Sequence, residues 1–231
     1  MTKPIEGKSP HDRVLHVHVP AQPRKRPRQA RSILLVDALK ETGRDILEKE
    51  GSAALSASRL SERSGVAVSS IYEYFPTMES LVAAIFHDDR LEMRRQALAK
   101  IQALPPSATL FDGIEVMMRI GIAGLHRWSL IDPECNVTSA HYEELVRLDL
   151  IKSEPLWSVM VAPALIERFS DEVQVRDREK ALFLFDQTLQ ALSRAIRLEK
   201  PAYLGEPDTA LLLTRMLHAL LTTRDETCSG R

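Results

Sequence analysis

Apolar residues recur at intervals of three and four along most of the chain, and the pattern predicts a succession of helices. In residues 36–50, Val36, Leu39, Ile46 and Leu47 share one stripe, and Gly51 ends it. Gly43 inside that helix costs about 1 kcal/mol relative to Ala, so its expected use is close approach of another helix. Ser56 or Ser58 can cap a second helix that carries Leu60 inward and stops at Gly65. A short third helix near residues 68–75 turns Ile71 and Phe75 inward. After Pro76, Thr77 should cap a long helix that reaches about Leu104 and ends at Pro105 and Pro106, with Leu81, Val82, Ile85 and Phe86 as its first buried patch.

The same period continues downstream. Ile114, Met117, Met118, Gly121, Ile122 and Leu125 mark a helix over residues 108–128, broken by Asp132 and Pro133. Residues 134–150 read as mostly helical, and residues 156–169 as a helix kinked by Pro163. Residues 177–198 are strongly amphipathic, and a last helix begins at Pro207 or Asp208 and is rich in leucine. Almost no alternation of strand length is present and no repeat is visible, so the expected fold is all-α with roughly nine helices. The expected organisation is a disordered arm over residues 1–30, a helix-turn-helix domain over 31–78, a larger helical domain over 79–224, and a short tail over 225–231.

Charge changes the picture more by its distribution than by its total. The 231 residues carry a net −1, yet residues 1–35 hold eight Lys or Arg against two acids, so the body is acidic and the arm basic. Such asymmetry points to an anionic partner at one end of the molecule. Cys135 and Cys228 are far apart and have no metal-like spacing, as expected of free thiols in a reducing compartment. No stretch approaches about 18 uninterrupted apolar residues, and the N-terminus lacks the apolar core of a signal peptide. The expectation is a cytoplasmic protein without membrane contact. His11, His16 and His18 lie in the arm without cysteine or clustered carboxylates, and His126 and His141 have no supporting local spacing, so no metal and no cofactor are expected.

Residues 56–81 carry the chemistry. A helix-turn-helix needs a small residue in its turn, and Gly65 supplies it. It needs apolar anchors, here Leu60, Val66, Ile71 and Phe75 with Leu39 and Leu47. Its groove-facing helix must not be bulky at its start, and Val68, Ser69 and Ser70 are short. Tyr72 and Tyr74 offer hydroxyls at phosphate height, and the helix starts at Ser56, Val68 and Thr77 turn amides outward toward phosphates.

The run L-S-E-R-S-G-V-A-V-S-S-I-Y-E-Y-F-P-T-M-E-S-L-V-A-A-I resembles the DNA-binding signature of TetR-type bacterial transcriptional regulators. The preceding helix, with Thr42, Gly43, Leu47 and Gly51, and the lead-in R-P-R-Q-A-R-S are similar to parts of the same family, so the resemblance spans about residues 24–90. It implies a homodimer in which three N-terminal helices bind double-stranded DNA and a helical C-terminal domain binds a small-molecule effector and dimerises. Carried over by position, Ser56 matches a phosphate-contacting cap, Val68, Ser69 and Ser70 the start of the recognition helix, and Tyr72 and Tyr74 phosphate contacts. Two positions depart from the pattern: Ala67 stands where the family often has a capping Ser, and Met78 where it often has Lys. Glu73 is acidic on the DNA-facing helix, where it either accepts from a cytosine amino group or points to solvent.

The basic arm compensates for these losses in the expected scheme. Arg24, Lys25, Arg26, Arg28 and Arg31 reach the minor groove or the backbone, and full engagement of both arms of a dimer would neutralise about ten phosphates. Met117, Met118, Trp128, Tyr142, Trp157 and Met160 are candidates for an effector pocket, although core packing accounts for each equally well. Leu189, Leu192 and Ile196 with Leu213, Leu217 and Leu220 are expected to form a four-helix bundle across a two-fold axis. The expected function is a ligand-responsive repressor acting on a palindromic operator; the alternatives are an activator or an effector-independent regulator of the same fold. A small helical enzyme is the competing class, and the chain lacks a nucleophile elbow, a phosphate loop and a metal-ligand spacing.

Overall fold

The computed structural model describes residues 30–132 and 160–224. The described residues form eight α-helices: α1 Ala30–Glu50, α2 Ala57–Ser64, α3 Val68–Tyr74, α4 Met78–Gln102, α5 Leu110–Ile131, α6 Ala162–Arg168, α7 Arg178–Glu199 and α8 Thr209–Thr222. Short 3-10 turns at Ser52–Ala54 and Pro201–Gly205 follow α1 and α7, and no strand occurs among the described residues. No described helix is long and apolar enough to cross a membrane.

Local chemistry sets the boundaries. Ser56 caps α2 by accepting from the Arg59 amide at 3.1 Å, and Gly65 closes it in the left-handed region at φ 71°. Thr77 and Ser80 form a capping box at the start of α4, with Thr77 Oγ1 accepting from the Ser80 amide at 3.2 Å and Ser80 Oγ from the Thr77 amide at 3.3 Å. Thr109 and Asp112 repeat the device on α5, and Asp177 caps α7 by accepting from the Lys180 amide. The two hydrogen bonds from Thr109, backbone and then side chain, hold the Asp112 carboxyl below the usual carboxylate range.

One boundary differs from the sequence pattern. Helix α1 begins at Ala30, six residues before the first periodic residue, because Ile33 and Leu34 are 44% and 71% exposed and contribute nothing to the buried stripe. Pro163 sits in the first turn of α6, where a proline is tolerated. Residues 134–150 and 156–159 lie outside the described residues.

Two cores are built on one continuous helix. Leu39, Ile46 and Leu47 of α1, Leu60 of α2, Ile71 of α3 and Phe75 pack with Leu81, Val82, Ile85 and Phe86 of α4. Farther along α4, Ala97 and Ile101 belong to a second core with Ile114, Met117, Met118 and Ile122 of α5, Leu165 and Ile166 of α6, Phe185 of α7, and Leu213 and Leu217 of α8. Gly43 lets α1 approach α4: a Cβ there would stand 3.0 Å from Ile85 Cδ1 and 3.1 Å from Leu81 Cδ2. Gly124 does the same between α5 and α4, where a Cβ would fall 1.9 Å from Met93 Sδ.

Candidate DNA interface

The α2–turn–α3 unit is held from below by buried Leu60, Ile71 and Phe75. What it presents outward is an arc of four exposed residues on α3, namely Val68, Ser69, Tyr72 and Glu73. Successive helical residues lie about 100° apart, which places these four on one side and Ile71 with Tyr74 on the other. Val68 is 37% and Tyr72 46% exposed, large values for apolar side chains in a folded domain. Ser70 is half-buried at the edge of the arc. Tyr74 is half-buried against the core, so its ring helps to hold α3 in place. Ala67 occupies the N-cap position of α3 and provides no side-chain cap, as its identity dictates. Met78 packs against the same core.

The arginines of α2 are engaged elsewhere. Arg59 donates through Nε and Nη2 to the two carboxylate oxygens of Glu50, both at 3.1 Å, and through Nη1 to Glu62 at 2.8 Å. Arg63 donates to Glu50 at 2.6 Å and also to Asp45, which pairs in turn with Lys49. This cluster ties α1 to α2. The Arg59 hydrogen bonds pull the Glu50 carboxyl below its ordinary range, and Lys49 does the same for Asp45. Arg59 is raised by the same contacts with Glu50 and Glu62.

A second polar assembly joins the DNA-facing helices to the rest of the molecule. Asp89 of α4 is buried, with 7% of its surface exposed. Its carboxylate accepts from Arg44 Nη2 of α1 at 2.8 Å, from Trp128 Nε1 of α5 at 3.1 Å, and from Arg127 Nη2 of α5. Arg127 also approaches Glu48 of α1 at 3.6 Å. One turn away on α1, Lys40 donates to Asp88 at 2.6 Å and lies 3.0 Å from Asp37. Burial opposes the charge of Lys40, but the hydrogen bonds and charges of Asp88 and Asp37 outweigh it and raise its pKa. Sequence pattern carries no sign of this joint; a buried Asp beside two Arg-bearing helices becomes visible only once the helices are placed.

The remaining expected positions fall as follows. Arg24, Lys25, Arg26 and Arg28 lie outside the described residues, and Arg31 falls in the first turn of α1. Ser56 caps α2 and Thr77 caps α4 at the two ends of the unit. Met117 and Met118 are buried in the second core with Met160 packed against it, whereas Trp128 belongs to the first core, edge-on to Phe86 at 4.8 Å between ring centroids. Tyr142, Trp157 and His141 lie outside the described residues, and His126 packs close to Gly205. An open groove along α4 and α5 is bordered by Arg44, Asp88, Met93, Arg119 and Arg127, and of the expected pocket residues none of the described ones, Met117, Met118, Trp128 and Met160, borders it. Leu189, Leu192, Ile196 and Leu220 are half-buried against the second core, while Leu213 and Leu217 are only 7% and 1% exposed and point into the protomer itself. The apolar side chains that α7 and α8 leave open are instead Phe183, Leu184 and Leu198, and Leu212 and Met216.

Residues 40–85 match the family described as bacterial regulatory proteins, tetR family. That span runs from the middle of α1 to the first turns of α4 and encloses the whole α2–α3 unit. Among solved structures, the chain is similar to a TetR transcriptional regulator from Rhodococcus sp. RHA1, with a TM-score of 0.53 and 16% identity over 84% of this chain and 98% of that one. At that identity the likeness concerns the fold. No curated protein matches the chain in sequence. The helix-turn-helix geometry, the exposed arc of α3 and the match over its span identify residues 40–85 as a DNA-binding domain of the tetR family type, and support a DNA-binding transcriptional regulator.

Proposed function

We propose that the protein is a ligand-responsive repressor that binds a palindromic operator as a homodimer. The observation that carries this reading is the single helix α4, which contributes Leu81 to Phe86 to the DNA-binding core and Ala97 and Ile101 to the second core. A displacement in the C-terminal domain therefore has a rigid path to α3. The Asp89 joint, which fastens α1 and α5 to α4, supports the same reading. A coupling of only about 1–3 kcal/mol between effector and operator suffices for such a switch.

The dimer is supported by the open apolar faces of α7 and α8. Phe183, Leu184, Leu198, Leu212 and Met216 are exposed apolar side chains that association would remove from water. A two-fold dimer would set its two α3 helices about 34–36 Å apart, in successive major grooves. The α3 face and the basic arm would then act together, the first on bases and the second on phosphates.

The test combines three measurements on the intact chain. Light scattering should report a dimer, and Leu212→Asp with Met216→Asp should yield monomers. A reporter placed behind the bound site should be expressed less when the protein is present; increased expression would identify an activator. Small molecules that release the DNA should leave the dimer intact. If every compound that releases DNA also dissociates or unfolds the dimer, the allosteric reading fails.

A further inference from the structure

The chemistry of the exposed arc of α3 restricts what it can read. The segment from Val68 to Tyr74 contains no Arg, Lys, Asn or Gln. The bidentate contacts that recognise guanine through O6 and N7, or adenine through N6 and N7, need those side chains. The arginines of α2, Arg59 and Arg63, are held by Glu50, Glu62 and Asp45. A serine hydroxyl such as that of Ser69 both donates and accepts, so it discriminates weakly among bases. Tyr72 is exposed and long, with a terminal hydroxyl suited to a phosphate. Glu73 already interacts within the protein.

Val68 remains. It is the first residue of α3 and a β-branched apolar side chain with 37% of its surface exposed. Residues at the start of a recognition helix are those that approach base edges. The major groove presents one apolar group, the C5 methyl of thymine. We propose that Val68 is a specificity-determining residue and that it reads a thymine methyl group in each half-site. This rests on α3 being the groove-facing helix, and it adds what that helix selects. Recognition through α3 is then carried by an apolar contact and hydroxyls, with no guanidinium or carboxamide reading a purine edge.

The test deletes the same contact from both sides. The intact chain is used to enrich duplexes from a randomised pool, and each thymine of an enriched duplex is replaced singly by deoxyuridine, which removes only the methyl group. One thymine per half-site should then show a loss of about fourfold in affinity, the value of one buried carbon. Val68→Ala removes the contact from both half-sites of the dimer, so it should lose about sixteenfold on the thymine duplex, as a duplex with both thymines replaced does for the parent, and show no further loss on the deoxyuridine duplex. Ala is the better helix former, so the variant is expected to fold. Val68→Thr, which keeps one methyl group in nearly the same shape, should fall between the two. The slope of affinity against salt should not change in either variant, because every phosphate partner is retained.

The inference is overturned if no thymine responds to loss of its methyl group, if the response persists undiminished in Val68→Ala, or if Val68→Ala flattens the salt dependence. Absence of any enriched duplex would overturn the DNA-binding reading itself, and the inference with it. Enrichment without thymine-methyl dependence overturns the inference alone.

Discussion

Replacing Asp89 by Ala should destabilise the protein by about 2–4 kcal/mol. The largest part comes from Trp128, whose Nε1 loses its acceptor at 3.1 Å while the indole is only 1% exposed. An orphaned buried donor costs about 1–3 kcal/mol. Arg44 and Arg127 lose a charge partner as well, but their side chains are 33% and 45% exposed, so water replaces much of what they lose and each adds about 0–1 kcal/mol. Asp89→Asn should cost less, about 1–2 kcal/mol, because the amide oxygen still accepts from one donor. For a chain of this length about 2–4 °C of melting temperature corresponds to each kcal/mol, so the Ala variant should melt about 4–16 °C lower at matched protein concentration. Urea denaturation followed by circular dichroism measures the same difference directly. An Asp89→Ala variant within about 0.5 kcal/mol of the parent, the range of an ordinary surface substitution, would refute the reasoning that the carboxylate joins three helices.

Further outcomes follow from the same structure. The carboxyls of Glu50 and Asp45 are depressed in the folded state, so their contribution is present above their unfolded values of 4.5 and 3.8 and is lost as pH falls through the lower folded values. Glu50→Gln should therefore melt below the parent at neutral pH and converge with it in acid; a difference that persists unchanged in acid would exclude the ion cluster as its cause. Gly113→Ala should destabilise by about 1–3 kcal/mol, since its Cβ would fall 2.6 Å from Leu165 Cδ2 and 2.7 Å from Phe169 Cε2. Gly121→Ala on the same helix meets nothing within 4 Å and should stabilise by up to about 1 kcal/mol, so denaturant midpoints must move in opposite directions. Removing residues 1–29 should lower DNA affinity and flatten its salt dependence, by roughly 0.9 in slope for each phosphate that the arm no longer neutralises, as read by fluorescence anisotropy.

Local signals made the DNA-binding unit legible from sequence. Gly65 at φ 71°, the Ser56 and Thr77 caps and the Ile71–Phe75 anchor all act over a few residues, and periodicity and cap chemistry report at that range. Gly43 was legible for the same reason: a glycine within a strong helical stripe signals close packing, and α4 packs there. Features that depend on which neighbour a helix face meets were not legible. Trp128 lies on the apolar stripe of α5 whether it faces one core or the other, and only the packing of α5 across α4 assigns it to Phe86. Helix α8 is apolar on nearly all sides, so its period could not separate the inward Leu213 and Leu217 from the outward Leu212 and Met216. The Asp89 joint spans 45 residues to Arg44 and 38 to Arg127, beyond the reach of any local pattern.

The central claim is that the α2–α3 unit reads DNA through the exposed arc of α3. Footprinting the intact chain on the duplexes it enriches tests this most directly, with Tyr72→Ala and Ser69→Glu, substitutions confined to that arc, as comparisons. The account predicts protection of two half-sites about 10–10.5 base pairs apart, lost in both variants while their melting temperatures stay at the parent value. Protection that survives both substitutions would contradict it.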